Sequence, residues 1–413
     1  MTSAAGVVVV GGGQAAFSVV STLRASGYDA PVTVFAAEPH LPYQRPPLSK
    51  AAHTEPDSLR VELVPESFYR ERNIDLRLGD DVVALDTAAA TVVSHTGARV
   101  PYAHLVLATG ARNRPLPVPG AELDGVHALR SLDDALTIGR ALTTARDVVV
   151  VGGGFIGLEL ARVALARGAQ VTVLELADRL LSRAVSRELE LPLRERHEHA
   201  GVRVLTGTGV RALEGPGRVE RVVTDREVLA ADLVVYGIGA IPRDDLAREA
   251  GLAVADGVMV DEQLRSVTDP RISAVGDCAR HPHPHAEGPV RLESVQNAID
   301  QGTLVGRRIA GSPASYESLP WFWSDQGDVK LQIAGLRSPA DEVRLVPGDS
   351  PERLAGYAFR DGLLVAVETL NWPAEHLAAR RLLERRTPVL AGDLAGTTLG
   401  ALARARRATE VRA

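Results

Sequence analysis

The sequence predicts an α/β protein with two related parallel-sheet halves followed by an α+β region, and three observations predict it. Two glycine fingerprints stand about 140 residues apart in the chain of 413, Val7-Val8-Val9-Val10-Gly11-Gly12-Gly13-Gln14-Ala15-Ala16 and Val148-Val149-Val150-Val151-Gly152-Gly153-Gly154-Phe155-Ile156-Gly157. Each follows a β-branched run, opens a helical pattern and has an acidic residue roughly 20 positions on, Glu38 and Glu175. The character then changes after Pro320, where Trp321-Phe322-Trp323 opens a segment of strand patterns and one helix. The glycines allow a tight turn and let backbone N–H groups approach a pyrophosphate at a helix N-terminus. Both halves therefore read as Rossmann-like, and two copies imply two dinucleotides, one giving electrons to the other.

In chain order, residues 6–38 read as strand, turn, helix, strand. The proline-rich loop from Pro39 to Lys50 is expected to be stiff and non-helical up to Leu48. Short strands are expected at 76–78, 82–85 and 90–93, and a buried one at 105–108; Pro115, Pro117 and Pro119 then mark a linker. The second βαβ unit runs from Asp147 through Glu175. Residues 202–205 and 221–224 read as a meander, 233–236 as a strand ending in Gly237-Ile238-Gly239, 271–277 as a strand with an acidic end, and 294–310 as a helix. The last region shows strands at 331–334, 357–359 and 363–367 and a helix at 375–384; the arginine-rich tail from Ala403 is expected to fray.

Composition narrows the function. A net charge of −6 argues against a nucleic-acid binder, and no apolar run approaches the roughly 18 residues of a membrane span. The opening Met1-Thr2-Ser3-Ala4-Ala5-Gly6 lacks the basic residues of a secretory leader, so a cytoplasmic protein is expected. Cys278 is the only cysteine, which excludes a C-x-x-C relay, and it reads as a small packed residue. Of the 46 basic residues only Lys50 and Lys330 are lysines, and an ammonium can approach a reacting ring edge where a planar guanidinium does not fit. No metal site is expected. Asp277, at the C-terminal edge of a parallel strand, is placed for ligand hydroxyls.

Further motifs carry a resemblance. They are Arg45-Pro46-Pro47-Leu48-Ser49-Lys50, Ala108-Thr109-Gly110-Ala111, Gly276-Asp277, Glu293-Ser294-Val295-Gln296-Asn297-Ala298 and Trp321-Phe322-Trp323-Ser324-Asp325-Gln326. With the fingerprints they resemble, over nearly the whole chain, the FAD-dependent NAD(P)H:ferredoxin reductases that serve bacterial cytochrome P450 and aromatic-ring dioxygenase systems. The resemblance implies a glutathione-reductase-like architecture: an FAD-binding domain at 1–112 and 245–319, an NAD-binding domain at 113–244 and a C-terminal α+β domain at 320–413. It implies that Gly11, Gly13, Ala15 and Ala16 face the FAD pyrophosphate and that Glu38 holds the ribose, with Ala37 as the alternative register. Val82, Arg45, Lys50, Thr109, Arg130, Gly276, Asp277 and Val295 would line FAD, and Trp321 would cap its ring. Gly152, Gly154, Ile156, Gly157, Arg183 and Gly239 would bind the nicotinamide cofactor. Lys50 and Glu159 would form an ion pair at the reacting edge, where a cation raises the flavin potential.

Glu175 argues for NADH, since a carboxylate accepts from a free 2′-hydroxyl and repels a 2′-phosphate, although Arg179 and Arg183 are close enough in sequence to pair with one. The expected function is passage of electrons from NADH through FAD to a separate [2Fe–2S] ferredoxin, which in turn supplies a P450 or dioxygenase. No cluster ligands exist in the chain. Arg307, Arg308, Arg337, Arg380, Arg381, Arg385 and Arg386 are candidates for a basic docking patch. A rubredoxin reductase, a cysteine-free NADH oxidase and a redox-sensing binding protein stay open as alternatives. Thiol-disulfide reductases need a cysteine pair after the first helix, and peroxide-reducing relatives a cysteine near position 43, where Tyr43 stands.

Overall fold

The valine runs are unbroken because their strands are buried on both faces. Val7–Val10 and Val148–Val151 are all nearly inaccessible, so neither strand shows the alternation of a half-solvated sheet. The computed structural model describes residues 5–50 and 60–410 and divides them into two compact units. The first comprises the chain up to Gln44, Arg60–Arg112 and Ala240–Pro320; the second comprises residues 45–50, Asn113–Gly239 and the chain from Trp321.

In the first unit, Gly6–Val10 is the centre of a parallel sheet in the order Ile74–Leu78, Val32–Ala36, Gly6–Val10, Arg99–Leu107, Ile272–Ala274. The front part of Arg99–Leu107 also carries an antiparallel arm with Thr91–Ser94 and Val82–Asp86. The helix Gln14–Ala25 packs on the helix Val295–Ile309, and small residues set the distance: a Cβ on Gly302 or Gly306 would collide with the backbone at Ala15 or Val19.

The second unit repeats the plan with Asp147–Val151 central, in the order Arg203–Thr206, Gln170–Glu175, Asp147–Val151, Leu233–Tyr236, Val126–Ala128. It also contains an antiparallel sheet in the order Trp321–Gln326, Val329–Gly335, Leu363–Leu370, Leu354–Arg360, Glu342–Pro347, covered by the helix Pro373–Glu384. Among the described residues, no helix is long and apolar enough to cross a membrane.

Three local expectations are corrected. Arg203–Thr206 is no meander strand; it adds in parallel to Gln170–Glu175, and the meander is Val210–Glu214, Arg221–Thr224 and Val228–Ala230. The proline loop turns helical before Leu48, as a 3₁₀ turn over Pro46–Ser49, because prolines at the first helical positions lose no needed N–H. The tail is a helix, Leu399–Glu410, with 411–413 outside the described residues. Its start is fixed by buried Glu375, which accepts from the N–H of Leu399 (2.6 Å) and of Gly400 (3.1 Å) and from the Tyr357 hydroxyl. A carboxylate on those orphan N–H groups also complements the helix dipole.

Candidate active site

The two fingerprints have the same backbone geometry. Gly11 N–H donates to Phe35 O at 2.8 Å and Gly152 N–H to Leu174 O at 2.7 Å, with φ of +125° and +108°. A Cβ at either glycine would collide with a backbone carbonyl of the neighbouring strand's continuation, Ala108 O or Gly237 O. Two residues on, the space opens. A Cβ on Gly13 would meet nothing within 4 Å, and one on Gly154 only Gly237 O at 3.9 Å. Each of these glycines caps its helix without a side-chain hydrogen bond. An open cradle above uncapped helix N–H groups fits a pyrophosphate, so both turns suit the dinucleotides implied.

Around the first turn, Gly11 lies against Ala108, and Thr109 hydrogen-bonds Arg243 O at 2.6 Å. Gly276 closes on Ala15 and donates its N–H to Gln301 Oε1 at 2.7 Å. Asp277 follows in the same 3₁₀ turn, and half-buried Val295 begins a helix capped by Ser294. Buried Val82 lies on the antiparallel arm. Glu38 sits two residues beyond the end of its strand and accepts from Tyr43 OH at 2.5 Å. Burial pushes the Cys278 thiol up, and its Sγ contacts Leu107 O and Val275 O, which fits its packing role.

Around the second turn, Glu175 accepts from Gly153 N–H and Ala177 N–H, both at 2.8 Å. Gly157 is tight, since a Cβ there would collide with Gly152 O, while Ile156 is exposed. Arg183 is exposed near Gly239: a Cβ on that glycine would lie 3.5 Å from Arg183 Nη2 and 3.9 Å from Arg114 Nε. Arg179 is engaged with Val185 O (2.7 Å) and Ser182 O (2.5 Å), so it holds its own loop and is a poor phosphate partner.

The second unit also contains Lys50, Arg45, Arg130 and Trp321. Lys50 Nζ lies 2.9 Å from Glu159 Oε2, and Glu159 is nearly inaccessible, not solvated on the helix surface. Ser49 and Ser324 also donate to the Glu159 carboxylate. Sequence reasoning missed both serines, although each stands inside a motif it had singled out. Arg45 Nη1 donates to Arg130 O at 2.5 Å. Trp321 stacks on Trp323 at 5.4 Å, with the Arg380 guanidinium 4.0 Å above its ring. Among the basic candidates, Arg308 is turned to Ser273 and Arg337 to buried Glu368, whereas Arg307, Arg381, Arg385 and Arg386 are exposed.

Comparison with known proteins places these features in context. Residues 5–302 match the model of the pyridine nucleotide-disulphide oxidoreductase family, and 321–401 match the reductase C-terminal model. Rhodocoxin reductase of Rhodococcus erythropolis is 42% identical over 395 residues, covering 95% of this chain and 92% of that one. The ferredoxin reductase for the CYP199A2 system from Rhodopseudomonas palustris superimposes with a TM-score of 0.92 at 39% identity, covering 96% of this chain and 99% of that one. The covalent putidaredoxin reductase–putidaredoxin complex gives 0.90 at 34% identity, covering 95% of each chain.

Proposed function

The chain is an oxidoreductase of the pyridine nucleotide-disulphide oxidoreductase family with FAD and NAD(P)H as cofactors, and on that premise we propose that it carries electrons from NADH to a separate [2Fe–2S] ferredoxin. The carrying observation is that the single cysteine is fully buried, so no thiol relay exists to take electrons onward within the chain. When bound, FAD would supply the conversion between a two-electron hydride donor and a one-electron acceptor.

The residues divide this work. Gly11, Gly13, Ala15 and Ala16 receive the FAD pyrophosphate at a helix N-terminus, with Thr109, Gly276, Asp277, Val295 and Val82 along the cofactor and Glu38 on its ribose. Gly152, Gly154, Ile156 and Gly157 do the same for NADH, flanked by Arg183 and Gly239. Glu175 accepts from the 2′-hydroxyl and disfavours a 2′-phosphate. Lys50 supplies positive charge at the hydride-transfer step, and Glu159 orients it; Arg45 and Arg130 support this edge, and Trp321 covers the flavin ring. The domain division follows, with FAD on 1–112 and 245–319, NADH on 113–244 and the α+β domain from 320. Exposed Arg381, Arg385 and Arg386 offer an acidic ferredoxin a basic face. A cytoplasmic location and supply of a P450 or dioxygenase complete the proposal.

NADH-driven cytochrome c reduction tests it, and is expected to require added ferredoxin. Rapid oxygen consumption without ferredoxin would identify an oxidase, and equal turnover with rubredoxin a rubredoxin reductase. A persistent charge-transfer band without turnover would identify a sensor.

A further inference from the structure

The Trp321-Phe322-Trp323-Ser324-Asp325-Gln326 motif contributes Trp321 to the proposed function and leaves two inward-facing polar residues unused. Ser324 and Gln326 are both fully buried on the strand Trp321–Gln326, as is His197 on the helix Arg187–His199. They form a continuous chain of hydrogen bonds to Glu159. Ser324 Oγ is 2.5 Å from Glu159 Oε1, Gln326 Nε2 is 3.1 Å from Ser324 Oγ, and His197 Nε2 is 2.8 Å from Gln326 Oε1.

Donor and acceptor chemistry gives this chain one direction. The Gln326 amide nitrogen can only donate, so Ser324 accepts there and keeps its single proton for Glu159. The Gln326 amide oxygen can only accept, so His197 Nε2 must bear a proton. Flipping the amide would direct the serine proton to Gln326 and leave the hydroxyl lone pairs facing a carboxylate. Burial holds the His197 pKa down to about 4, so the ring is neutral, and its buried Nδ1 has no hydrogen-bond partner among the described residues. Ser49 and Lys50 approach the other oxygen, Oε2. Ser49, Lys50 and Ser324 all direct donors at the carboxylate, so it is held from both sides.

We propose that Ser324, itself fixed by Gln326 and His197, is a positioning residue that holds the Glu159 carboxylate in the orientation in which it pairs with Lys50. The inference rests on the proposed role of Glu159 in hydride transfer. It gives the Ser-x-Gln part of the motif a task in the reaction and makes His197 the far anchor of the relay.

The test is a double-mutant cycle on the FAD-loaded enzyme by anaerobic stopped flow, with ADP-ribose affinity measured by calorimetry. Ser324→Ala is expected to slow flavin reduction at saturating NADH about tenfold, the scale of one lost hydrogen bond to a charged acceptor. ADP-ribose affinity should stay within about twofold, and in a Glu159→Gln background the serine substitution should cost less than about twofold. Gln326→Glu is the second arm. It draws the Ser324 proton away from Glu159 and should slow reduction similarly, while ¹⁵N spectra of histidine-labelled protein show His197 passing from the neutral Nε2–H tautomer to imidazolium. Additive costs of Ser324→Ala and Glu159→Gln, or normal rates in both Ser324→Ala and Gln326→Glu, would overturn the relay alone. A normal rate in Glu159→Gln would overturn the underlying assignment of Glu159 as well.

Discussion

The two glycine turns superimpose in their backbone logic and part at the next residue outward. Phe35 and Leu174 accept equivalent hydrogen bonds from Gly11 and Gly152, so the position after them is Ala36 in the first half and Glu175 in the second. A Cβ on Gly12 would meet the methyl of Ala36, where one on Gly153 would meet the Glu175 side chain. The first half thus has no carboxylate at the strand end, and its acidic residue, Glu38, is held two positions later by Tyr43. The third fingerprint position differs too: Ala16 is accommodated, while Gly157 leaves no room for a methyl. The first helix is covered by the helix Val295–Ile309; the second turns buried Glu159 to Ser49, Lys50 and Ser324. One motif therefore stands in two different surroundings, and the proposed division of tasks rests on what lies around each turn.

The largest effect should come from the charge that only the second half carries. Glu175→Ala combined with Leu176→Arg, at a highly exposed position, should shift the kcat/KM ratio of NADH to NADPH by on the order of a hundredfold, since it removes a repelled carboxylate and adds a pairing cation. Flavin content should not change. An unaltered ratio would remove Glu175 from the ribose. Next is Lys50→Met, which takes the cation from beside Glu159 and should slow NADH-dependent flavin reduction about tenfold and lower the flavin potential. A normal reductive half-reaction would dismiss Lys50.

Stability gives smaller differences. Gly157→Ala should cost about 1–3 kcal/mol by overpacking, whereas Ala16→Gly should cost under about 1 kcal/mol, both read by denaturant unfolding of the flavin-loaded protein. Equal costs would erase this part of the contrast. A pH effect is expected in the second unit, where burial holds His197 and His376 at about 4. Above about pH 6.5 both rings are neutral whether folded or not; below it only the unfolded chain takes up protons, so stability falls as pH drops toward 4. The melting temperature should be lower at pH 5 than at pH 7, and His376→Leu should flatten that dependence.

How much of this was legible follows from range. Valine runs, glycine spacing and the acidic residues lie within some 30 residues of one another, so the sequence exposes them as local pattern. Lys50 and Glu159 were paired through resemblance, since 109 positions separate them. The Ser324–Gln326–His197 chain was invisible because alternation along a strand marks a buried face without naming what it meets across the fold. The edge strand Glu342–Pro347 was missed because its side chains are largely exposed, which removes the hydrophobic signal. The tail was misjudged for the opposite reason: its anchor, Glu375, lies a full helix earlier.

The central claim is that the first turn retains FAD and the second admits NADH. Gly152→Val, placed where φ is +108° and the backbone is already in contact, tests it most directly. The purified variant should keep its flavin, and dithionite should reduce that flavin at the normal rate while NADH fails to. Loss of flavin from a folded variant, or normal reduction by NADH, would contradict the assignment.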